Sequence, residues 1–465
     1  MRAVLKIGGG ILRDKNDLDT LVKILKLNSD RENILVVSAF NGVTDMLIDA
    51  YEKYENTKYE YKYACEYEKK QSAVKTSTVK IVIKELKKTY RAFFVHKNKK
   101  LEGSLAELSK LLSLKRRGIR LKERIVSFGE RLSAITIAEY LNVYGINALD
   151  MNAEECGIIA DGRFEHANCL IEKTVKNFTK NVVPKIKGRT IVITGFYGVD
   201  EKGNVNTFGR GGSDYSAALV ARASGAQILE IWKDVEGFMT ANPRIVTNAK
   251  KLDEITFDEA KELGYLGAKI LHPRTMDPLE GTKIFVEIKS VFAPTHTGTR
   301  IVLNRTKKLG KIITSIAIKK GMCMVNIMSG KMVGVPGIAA QIFSAVAKKG
   351  VSIDTITTSQ VSITFTIEEK DFENTKNALA EMAHLIGNNF EIIKGLATIG
   401  VVGAEMDVPN TAGRVFGAIG RKQINIELIS QACASINITL MVLQNKGEEC
   451  VRAIHDEFEL GKQIR

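Results

Sequence analysis

The chain has 465 residues, of which 45% are hydrophobic and 26% charged, as in ordinary globular proteins of more than one domain. Its formal net charge is +15, but residues 51–124 hold 21 Lys and Arg against 9 Asp and Glu, so 21 − 9 leaves +12 in that segment alone. The excess charge therefore describes one segment and is weak evidence for a nucleic-acid binder. Because no apolar run reaches the ~18 residues of a bilayer span, and no signal peptide or cysteine pairing pattern is evident, we expect a cytoplasmic protein.

The N-terminal part predicts an α/β domain with a mainly parallel sheet flanked by helices. A short apolar run at 2–7 ends in three glycines, a helical pattern covers 15–27, and the continuous apolar run at 34–40 is typical of a buried parallel strand. This order of strand, turn, helix and strand is that of a βαβ unit. Residues 45–118 are polar and predict two or more long helices. Further strands are expected at 148–150, 189–196, 227–232 and 285–288.

The C-terminal part contains an internal repeat. Residues 335–356 align without gaps with residues 408–429, and 8 of the 22 pairs are identical. Each copy has the pattern of a small βαββαβ module. We therefore predict an α/β domain over 1–300, with a basic helical insert at about 51–124, followed by two small modules over 312–390 and 391–465.

Two glycine-rich clusters are candidate anion-binding sites. Lys6 precedes Gly8, Gly9 and Gly10 at a predicted strand end, where glycines let backbone amides approach a phosphate and the lysine adds positive charge. An ordinary tight turn is the alternative for this cluster. The second cluster, GRGGSD (209–214), opens a predicted helix. Its arginine can bind a carboxylate or phosphate through two hydrogen bonds, which is more than a helix cap requires.

Two further clusters belong to the same predicted domain. WKDV (232–235) ends a strand and runs into TANPR (240–244), and polar loops after parallel strands are where α/β domains bind ligands, although an ordinary turn is the alternative. LGAK (266–269) offers Lys269 to a phosphate. We expect His272, which precedes a proline, to pack or to cap a helix rather than to act as a catalyst.

Together with VVSAFNGVTD (36–45) and VSFGERLSA (126–134), these clusters resemble the aspartate kinases of the amino-acid kinase family. The C-terminal repeat resembles the tandem, ferredoxin-like ACT domains that give these enzymes feedback control. The resemblance implies ATP-dependent phosphorylation of the side-chain carboxylate of L-aspartate to L-4-aspartyl phosphate, the entry step to lysine, threonine and methionine. It also implies that Mg²⁺ arrives with the nucleotide, without a dedicated protein metal site.

The resemblance assigns roles to residues at the matching positions. Lys6, Asp214 and Lys269 would be catalytic, since both lysines would steady the β- and γ-phosphates and Asp214 would orient Lys6 or help to hold Mg²⁺. Arg210 would bind the α-carboxylate of aspartate, and Glu130 its α-ammonium group. Aspartate would also be bound by Ser38, Thr44 and Ser213, and the nucleotide by Gly8, Gly9, Lys233, Asp234 and Arg244.

In the ACT repeat, the resemblance implies an effector pocket for an end-product amino acid. TTSQVS (357–362) follows the TTSEVS of lysine-sensitive relatives, whereas Gln431 lies in a motif like that of threonine-sensitive ones, so lysine is favoured only slightly. We expect a homodimer through the ACT domains, or a tetramer, with no nucleic-acid or membrane partner. The matching pocket residues are Met328, Ser329, Gly337, Ile338, Ala339, Asp354, Ser359, Gln360 and Val361.

The first cluster departs from the family pattern, because KIGGGI (6–11) stands where most relatives have KFGGTS. The missing hydroxyls leave the affinity for aspartate open. Three alternatives to an aspartate kinase remain at this point. They are a kinase of the same fold for another small acid, an amino-acid sensor whose kinase site is weakened by Gly10 and Ile11, and a nucleic-acid binder acting through the basic insert.

Overall fold

The computed structural model describes residues 1–56, 67–94, 97–114, 118–267, 270–303, 305, 312–328, 336–387, 389–404, 406–431 and 436–462. The chain divides into two compact units. The N-terminal unit comprises residues 1–237 and 270–303, and the C-terminal unit comprises residues 238–269 and 304–465. Within the described residues, no helix combines the length and apolarity needed to cross a bilayer.

The strands, in chain order, are β1 (Arg2–Ile7), β2 (Glu32–Val37), β3 (Ala148–Met151), β4 (Thr190–Thr194), β5 (Tyr197–Val199), β6 (Val205–Thr207), β7 (Ile228–Lys233), β8 (Glu254–Thr256), β9 (Phe285–Ser290), β10 (Thr299–Val302), β11 (Ser315–Met328), β12 (Ile356–Thr358), β13 (Ser362–Glu368), β14 (Phe390–Val402), β15 (Leu428–Ser430) and β16 (Asn437–Leu443). The helices are α1 (Lys15–Leu27), α2 (Val43–Asn56), α3 (Tyr67–Arg91), α4 (Lys99–Leu112), α5 (Ile119–Val126), α6 (Phe128–Val143), α7 (Ala153–Cys156), α8 (Ile171–Asn181), α9 (Gly212–Ser224), α10 (Phe257–Tyr265), α11 (Ile338–Lys348), α12 (Phe372–Glu381), α13 (Ala383–Ile386), α14 (Thr411–Arg421) and α15 (Gln444–Glu457).

The main sheet of the N-terminal unit has the strand order β3-β4-β2-β1-β7-β9-β10. All neighbouring pairs are parallel except β10 with β9. Strand β1 lies in the interior of the sheet and its Ile7 aligns with Val37 on one side and Trp232 on the other. Since parallel strands end at the same edge, the loops after β1, β2, β4 and β7 lie side by side, where ligands bind in open α/β sheets.

The described residues of the basic insert are mostly helical, as predicted from the sequence. The insert contains the end of α2, together with α3, α4 and nearly all of α5. Along α3, Val82, Leu86 and Tyr90 recur every four residues and are buried in the core of the N-terminal unit. Lys80, Lys84 and Lys88 follow the same spacing on the solvent side. The insert therefore has one core-forming face and one solvated basic face, at helical periodicity.

The C-terminal unit holds one antiparallel sheet with the strand order β12-β13-β11-β14-β16-β15. The long strands β11 and β14 each contribute to both of the small C-terminal modules. Met322–Met328 of β11 pair with β13 in the first module, whereas Ser315–Lys320 pair with Ala397–Val402 of β14 in the second. The second module therefore takes one of its strands from a segment that precedes the first module. The predicted boundary between residues 390 and 391 would separate the second module from this strand of β11.

The fold class predicted from the sequence is confirmed, since a mainly parallel sheet with helices is followed by an antiparallel sheet with the ferredoxin-like strand order. The observed division differs from the predicted domain limits in one more respect. Residues 238–269, predicted to belong to the catalytic domain, group with the C-terminal unit. Two apolar residues of this segment, Ala241 and Val246, join the core cluster of the second small module.

Candidate active site

A cavity of about 380 Å³ opens at the carboxyl edge of the parallel sheet in the N-terminal unit. The loops after β1, β2 and β4 contribute to it, as do the N-terminal turns of α2, α6 and α9. Its lining contains all five residues predicted to bind aspartate, together with Lys6, Gly9 and Asp214. The full lining is Lys6, Gly9, Gly10, Ser38, Ala39, Phe40, Asn41, Gly42, Thr44, Asp45, Glu130, Phe196, Gly209, Arg210, Gly211, Gly212, Ser213 and Asp214.

A buried ion pair lies at the base of the cavity. The Nζ atom of Lys6, a residue only 7% exposed, lies 2.5 Å from Oδ1 of Asp214 in the first turn of α9. Lys233 Nζ lies 3.7 Å from the other carboxylate oxygen. Burial raises the pKa of Asp214, but the charges of Lys6 and Lys233 outweigh this effect, so the pKa is lowered and the carboxylate stays ionised. Burial likewise lowers the pKa of Lys233, partly offset by Asp214.

The charge of this site is favourable to an anion. Two lysines share one carboxylate, which leaves an excess positive charge at the end of β1. The N-terminal turns of α2 and α9 both line the cavity, and backbone amides at helix N-termini carry partial positive charge. At the mouth, the exposed Arg210 adds a guanidinium that can bind a carboxylate through two hydrogen bonds.

Close packing requires glycine in the loop that leads into α9. Gly211 has φ +72°, and a Cβ there would lie 2.3 Å from Cβ of His272. His272 Nδ1 accepts a hydrogen bond from the backbone N–H of Arg274 at 3.3 Å, at the start of the 3-10 helix Pro273–Leu279. Burial is the main cause that lowers the pKa of His272. The prediction that this histidine packs and caps a helix is confirmed.

Glu130 is a buried acid in the first turn of α6, with 3% of its surface exposed. Its Oε1 accepts a hydrogen bond from the backbone N–H of Ala39 at 3.1 Å. Its Oε2 is buried and has no hydrogen-bond partner among the described residues. Burial raises the pKa of Glu130 to about 8, against the opposing effect of the Ala39 amide. An ammonium group in the cavity would supply the missing partner and favour the ionised form.

Several predicted nucleotide-binding residues lie outside the cavity lining. Gly8 contacts the Lys6 amine, since a Cβ at Gly8 would lie 3.0 Å from Nζ. Asp234 is exposed in the loop after β7. Arg244 belongs to the C-terminal unit, where its backbone N–H donates to Oδ1 of Asn242 at 3.0 Å. Lys269 lies outside the described residues, so its predicted role stays a prediction.

The cavity also contains residues that the sequence analysis did not select. Most of them belong to motifs that were recognised, including Phe40 in VVSAFNGVTD (36–45), but neither Phe40 nor Phe196 was selected as a site residue. Phe40 lies in the loop after β2, and Phe196 lies in the loop after β4 with φ +75°, an unusual conformation for a residue other than glycine. The signal available for both was their position after a buried parallel strand. Ala39, Asn41, Gly42, Asp45, Gly209, Gly211 and Gly212 complete this group, with Gly10.

The predicted effector residues lie in the first ACT module. Met328 ends β11 and aligns with Ser362, next to the turn that contains Ser359, Gln360 and Val361. Gly337, with φ +87°, precedes α11, which begins with Ile338 and Ala339. Asp354 is already paired, since its Oδ2 lies 2.5 Å from Nζ of Lys319. Ser329 lies outside the described residues.

Comparisons with known proteins agree with these observations. The model of the amino acid kinase family matches residues 1–290, and that of the ACT domain matches residues 325–382 and 399–458. The chain is 31% identical over 472 residues to aspartokinase 1, chloroplastic, of Arabidopsis thaliana, covering 98% of this chain and 80% of the relative. It is 31% identical over 343 residues to the lysine-sensitive aspartokinase 3 of Escherichia coli, covering 73% and 75%.

Solved structures show the same similarity. Aspartokinase III of Escherichia coli in complex with aspartate and ADP (R-state) superposes with a TM-score of 0.78 at 25% identity, covering 99% of this chain and 100% of the other. The complex of that enzyme with lysine and aspartate (T-state) gives 0.78 at 26%, covering 98% and 99%. The chain therefore belongs to the amino acid kinase family and, within it, to the aspartokinases.

Proposed function

We propose that this aspartokinase transfers the γ-phosphoryl group of MgATP to the side-chain carboxylate of L-aspartate and forms L-4-aspartyl phosphate, the entry step to lysine, threonine and methionine. The observation that carries the proposal is the Lys6–Asp214 ion pair at the base of a cavity that also holds Glu130 and Arg210. One acid and one arginine can bind the ammonium and carboxylate groups of a free amino acid, while Lys6 remains available to phosphate oxygens.

The reaction needs charge neutralisation more than acid–base catalysis. The carboxylate of aspartate is ionised at neutral pH, so its oxygen can bond to the γ-phosphorus without losing a proton. The bond from that phosphorus to the β,γ-bridging oxygen breaks, and ADP leaves with the electron pair. Because both reactants are anions, positive groups must hold them together, and Lys6 with the N-terminal amides of α9 supports this role.

The substrate roles follow from this arrangement. In the proposal, Arg210 binds the α-carboxylate of aspartate, Glu130 accepts its α-ammonium group, and Ser38, Thr44 and Ser213 donate hydrogen bonds. Lys6 and Lys269 contact the β- and γ-phosphates, and Asp214 orients Lys6. Nucleotide contacts are proposed for Gly8, Gly9, Lys233, Asp234 and Arg244.

Mg²⁺ is proposed to be bound mainly by the phosphates of the nucleotide. Among the described residues, no group of three or more His, Cys, Asp or Glu side chains is arranged to hold an ion by itself. Asp214 is the carboxylate nearest to Lys6, and its charge is shared with two lysines. This donor set suits a magnesium ion that keeps phosphate and water ligands, as is common for this metal. The ion would neutralise charge that develops on the phosphate oxygens.

The proposed activity is tested by ATP-dependent formation of aspartyl hydroxamate in the presence of hydroxylamine. We expect a signal with L-aspartate that is absent in the Arg210→Ala variant. Parallel assays with N-acetylglutamate and carbamate test whether the chain is a kinase for another small acid. Turnover of one of these, but not of aspartate, would contradict the proposal. Binding of an amino-acid effector without any turnover would identify a sensor instead.

We further propose that an end-product amino acid inhibits the enzyme by binding to the ACT modules, with lysine favoured over threonine. TTSQVS (357–362) supports lysine, and so does the lysine complex of a relative at 26% identity. Two features reduce the negative charge available to a lysine ammonium, because Gln360 is neutral and Asp354 is paired with Lys319. We therefore expect weak inhibition by lysine, strengthened in the Gln360→Glu variant. Inhibition by threonine alone would reject the preference.

We propose a homodimer formed through the ACT modules, with a tetramer as the alternative assembly. Strands β12 and β15 lie at the two ends of the described antiparallel sheet, and their Ile356 and Ile429 are exposed. Exposed apolar side chains on edge strands favour association. Light scattering after size-exclusion chromatography tests this proposal, and a monomer at micromolar concentration would contradict it.

A further inference from the structure

The loop that follows β2 has no free backbone donor over four consecutive residues. Ser38 N–H donates to the carbonyl of Ile7 at 3.1 Å, and Asn41 N–H donates to that of Leu12 at 3.0 Å. Between them, Ala39 N–H donates to Glu130 Oε1 at 3.1 Å. Phe40 N–H donates to Ser133 Oγ at 3.1 Å. Two of the four bonds therefore depend on side chains of α6.

The loop and α6 are also packed closely. A Cβ at Gly129 would lie 2.7 Å from Cβ of Ala39, and a Cβ at Gly9 would lie 2.8 Å from the carbonyl oxygen of Ala39. Ala39 therefore lies between the loop after β1 and the first turn of α6. A small shift of that turn must move the loop, because buried contacts at this distance leave no space for independent adjustment.

Tyr90 of α3 contacts both sides of this arrangement. Its side chain is fully buried, and its hydroxyl donates to the carbonyl of Gly129 at 3.3 Å and lies 3.4 Å from Ser133 Oγ. Ser133 Oγ in turn donates to the Gly129 carbonyl at 2.9 Å. The ring of Tyr90 packs edge-on against Phe40, with centroids 5.1 Å apart. Burial raises the pKa of Tyr90, so its hydroxyl keeps its proton and can donate.

We propose that Tyr90 is a positioning residue for the aspartate site, through which the basic insert sets the geometry of Ser38–Phe40 and Glu130. The inference rests on the proposed function, in which these residues face L-aspartate. Tyr90 does not line the cavity itself. It acts through Phe40, which does, and through the turn that carries Glu130. The insert is then a structural support of the site, and its positive charge is a separate property of the opposite face.

Two variants separate the hydroxyl from the ring. Tyr90→Phe keeps the contact with Phe40 and removes the two long hydrogen bonds, so we expect the KM for aspartate to rise about three- to five-fold. Tyr90→Leu also removes the ring, and we expect a rise of about ten-fold or more. In both, kcat and the KM for ATP should stay within about two-fold of wild type, because the ion pair of Lys6 is not in contact with Tyr90.

Tyr140→Phe is the matched control. Tyr140 is also buried and lies on α6 itself, but its hydroxyl donates to Asp19 Oδ1 at 2.6 Å and not to Gly129. We expect this variant to lower the melting temperature without changing the KM for aspartate. If Tyr90 had a purely structural role, Tyr90→Phe and Tyr90→Leu would behave like Tyr140→Phe, with a lower melting temperature and an unchanged KM for aspartate. That result would overturn the inference.

A second measurement keeps the two proposals distinguishable. Hydrogen exchange of the Ala39 and Phe40 amides should be faster in Tyr90→Phe than in wild type, and unchanged in Tyr140→Phe. If wild-type protein turns over no aspartate, the proposed function fails, whereas the exchange rates still decide the positioning role. If Tyr90→Phe yields no folded protein, Phe93→Leu replaces it under the same criteria, since the Phe93 ring lies 5.1 Å from that of Phe40.

Discussion

At the scale of single residues, Glu130 is where burial and charge oppose each other most directly. Burial raises its pKa to about 8, so in the empty site the carboxyl group is largely protonated below that pH. An α-ammonium group would bind the ionised form, and binding would then release a proton. The KM for aspartate should therefore fall as the pH rises from 6 to 8 and level off above it, by at most about ten-fold per pH unit. Steady-state kinetics at saturating ATP measures this dependence.

Glu130→Gln supplies the control for that prediction. The variant should have a raised KM for aspartate that no longer changes between pH 6 and 8. The same pKa also affects stability, because the folded protein holds a proton that the unfolded chain releases above about pH 4.3. The free energy of unfolding of wild type should therefore decrease between pH 4.5 and 8 relative to that of the variant. A wild-type KM independent of pH would show that Glu130 does not bind the ammonium group in its ionised form.

Lys6 has a proposed role in phosphate binding and also forms a buried ion pair with Asp214. Removing its charge in Lys6→Met leaves the buried Asp214 carboxylate with Lys233 at 3.7 Å as its nearest described cation. We expect a loss of about 3 kcal/mol in the free energy of unfolding and a decrease of at least about 100-fold in kcat/KM. Urea denaturation and the hydroxamate assay measure the two effects. The control is Lys173→Met at an exposed ion pair with Glu201, where neither quantity should change measurably.

At the scale of elements, α9 provides a matched pair of glycines at its two ends. Gly211 precedes the helix with φ +72°, and Gly225 follows it with φ +66°. A Cβ at Gly225 meets nothing within 4 Å, whereas one at Gly211 would collide with His272. Gly225→Ala should thus cost only the strain of the left-handed conformation, about 1 kcal/mol, and leave activity unchanged.

Gly211→Ala should have the same strain and, in addition, displace the first turn of α9. Because Ser213 and Asp214 lie in that turn, we expect kcat/KM to decrease by more than about ten-fold. Thermal melts and kinetics of both variants test the comparison. Equal activity of the two variants would show that the loop before α9 can shift without affecting the site.

At the scale of the whole molecule, the exchange of strands between the ACT modules limits where the chain can be divided. Residues 391–465 lack Ser315–Lys320, which pair with Ala397–Val402 of β14. That fragment would expose the backbone edge of β14 and lose Ile316 from its core cluster. We expect residues 312–465, which keep Ser315–Lys320 but lack Ala241 and Val246, to unfold cooperatively at a lower temperature than the full chain. Residues 391–465 should show no cooperative transition, as measured by circular dichroism. A cooperative melt of the shorter fragment would contradict this prediction.

The net charge of +15 is also a property of the whole molecule that the structure clarifies. Most of the excess belongs to the insert, where Lys80, Lys84 and Lys88 of α3 are exposed while Val82, Leu86 and Tyr90 are buried. Helix α3 therefore has two different surfaces. One is the solvated face that the sequence predicts, and the other is the buried face that carries Tyr90. Sequence periodicity could indicate the first of them, because lysines at helical spacing are a local pattern.

From the amino-acid sequence alone, the fold class and the glycine-rich loops after β1 and before α9 could be predicted, because they are local motifs at strand ends and helix starts. Lys6 and Asp214 could each be selected in this way, although they are far apart in the chain. Ser38, Thr44 and Glu130 could be selected only through the resemblance to a family, and Phe196 of the cavity lining was not selected at all. Tertiary contacts alone reveal that the Tyr90 hydroxyl donates to the carbonyl of Gly129 in the turn that carries Glu130, that residues 238–269 pack with the ACT modules, and that β11 supplies a strand to the second of them. These contacts join segments distant in sequence, and they depend on packing and strand pairing that no local residue pattern encodes.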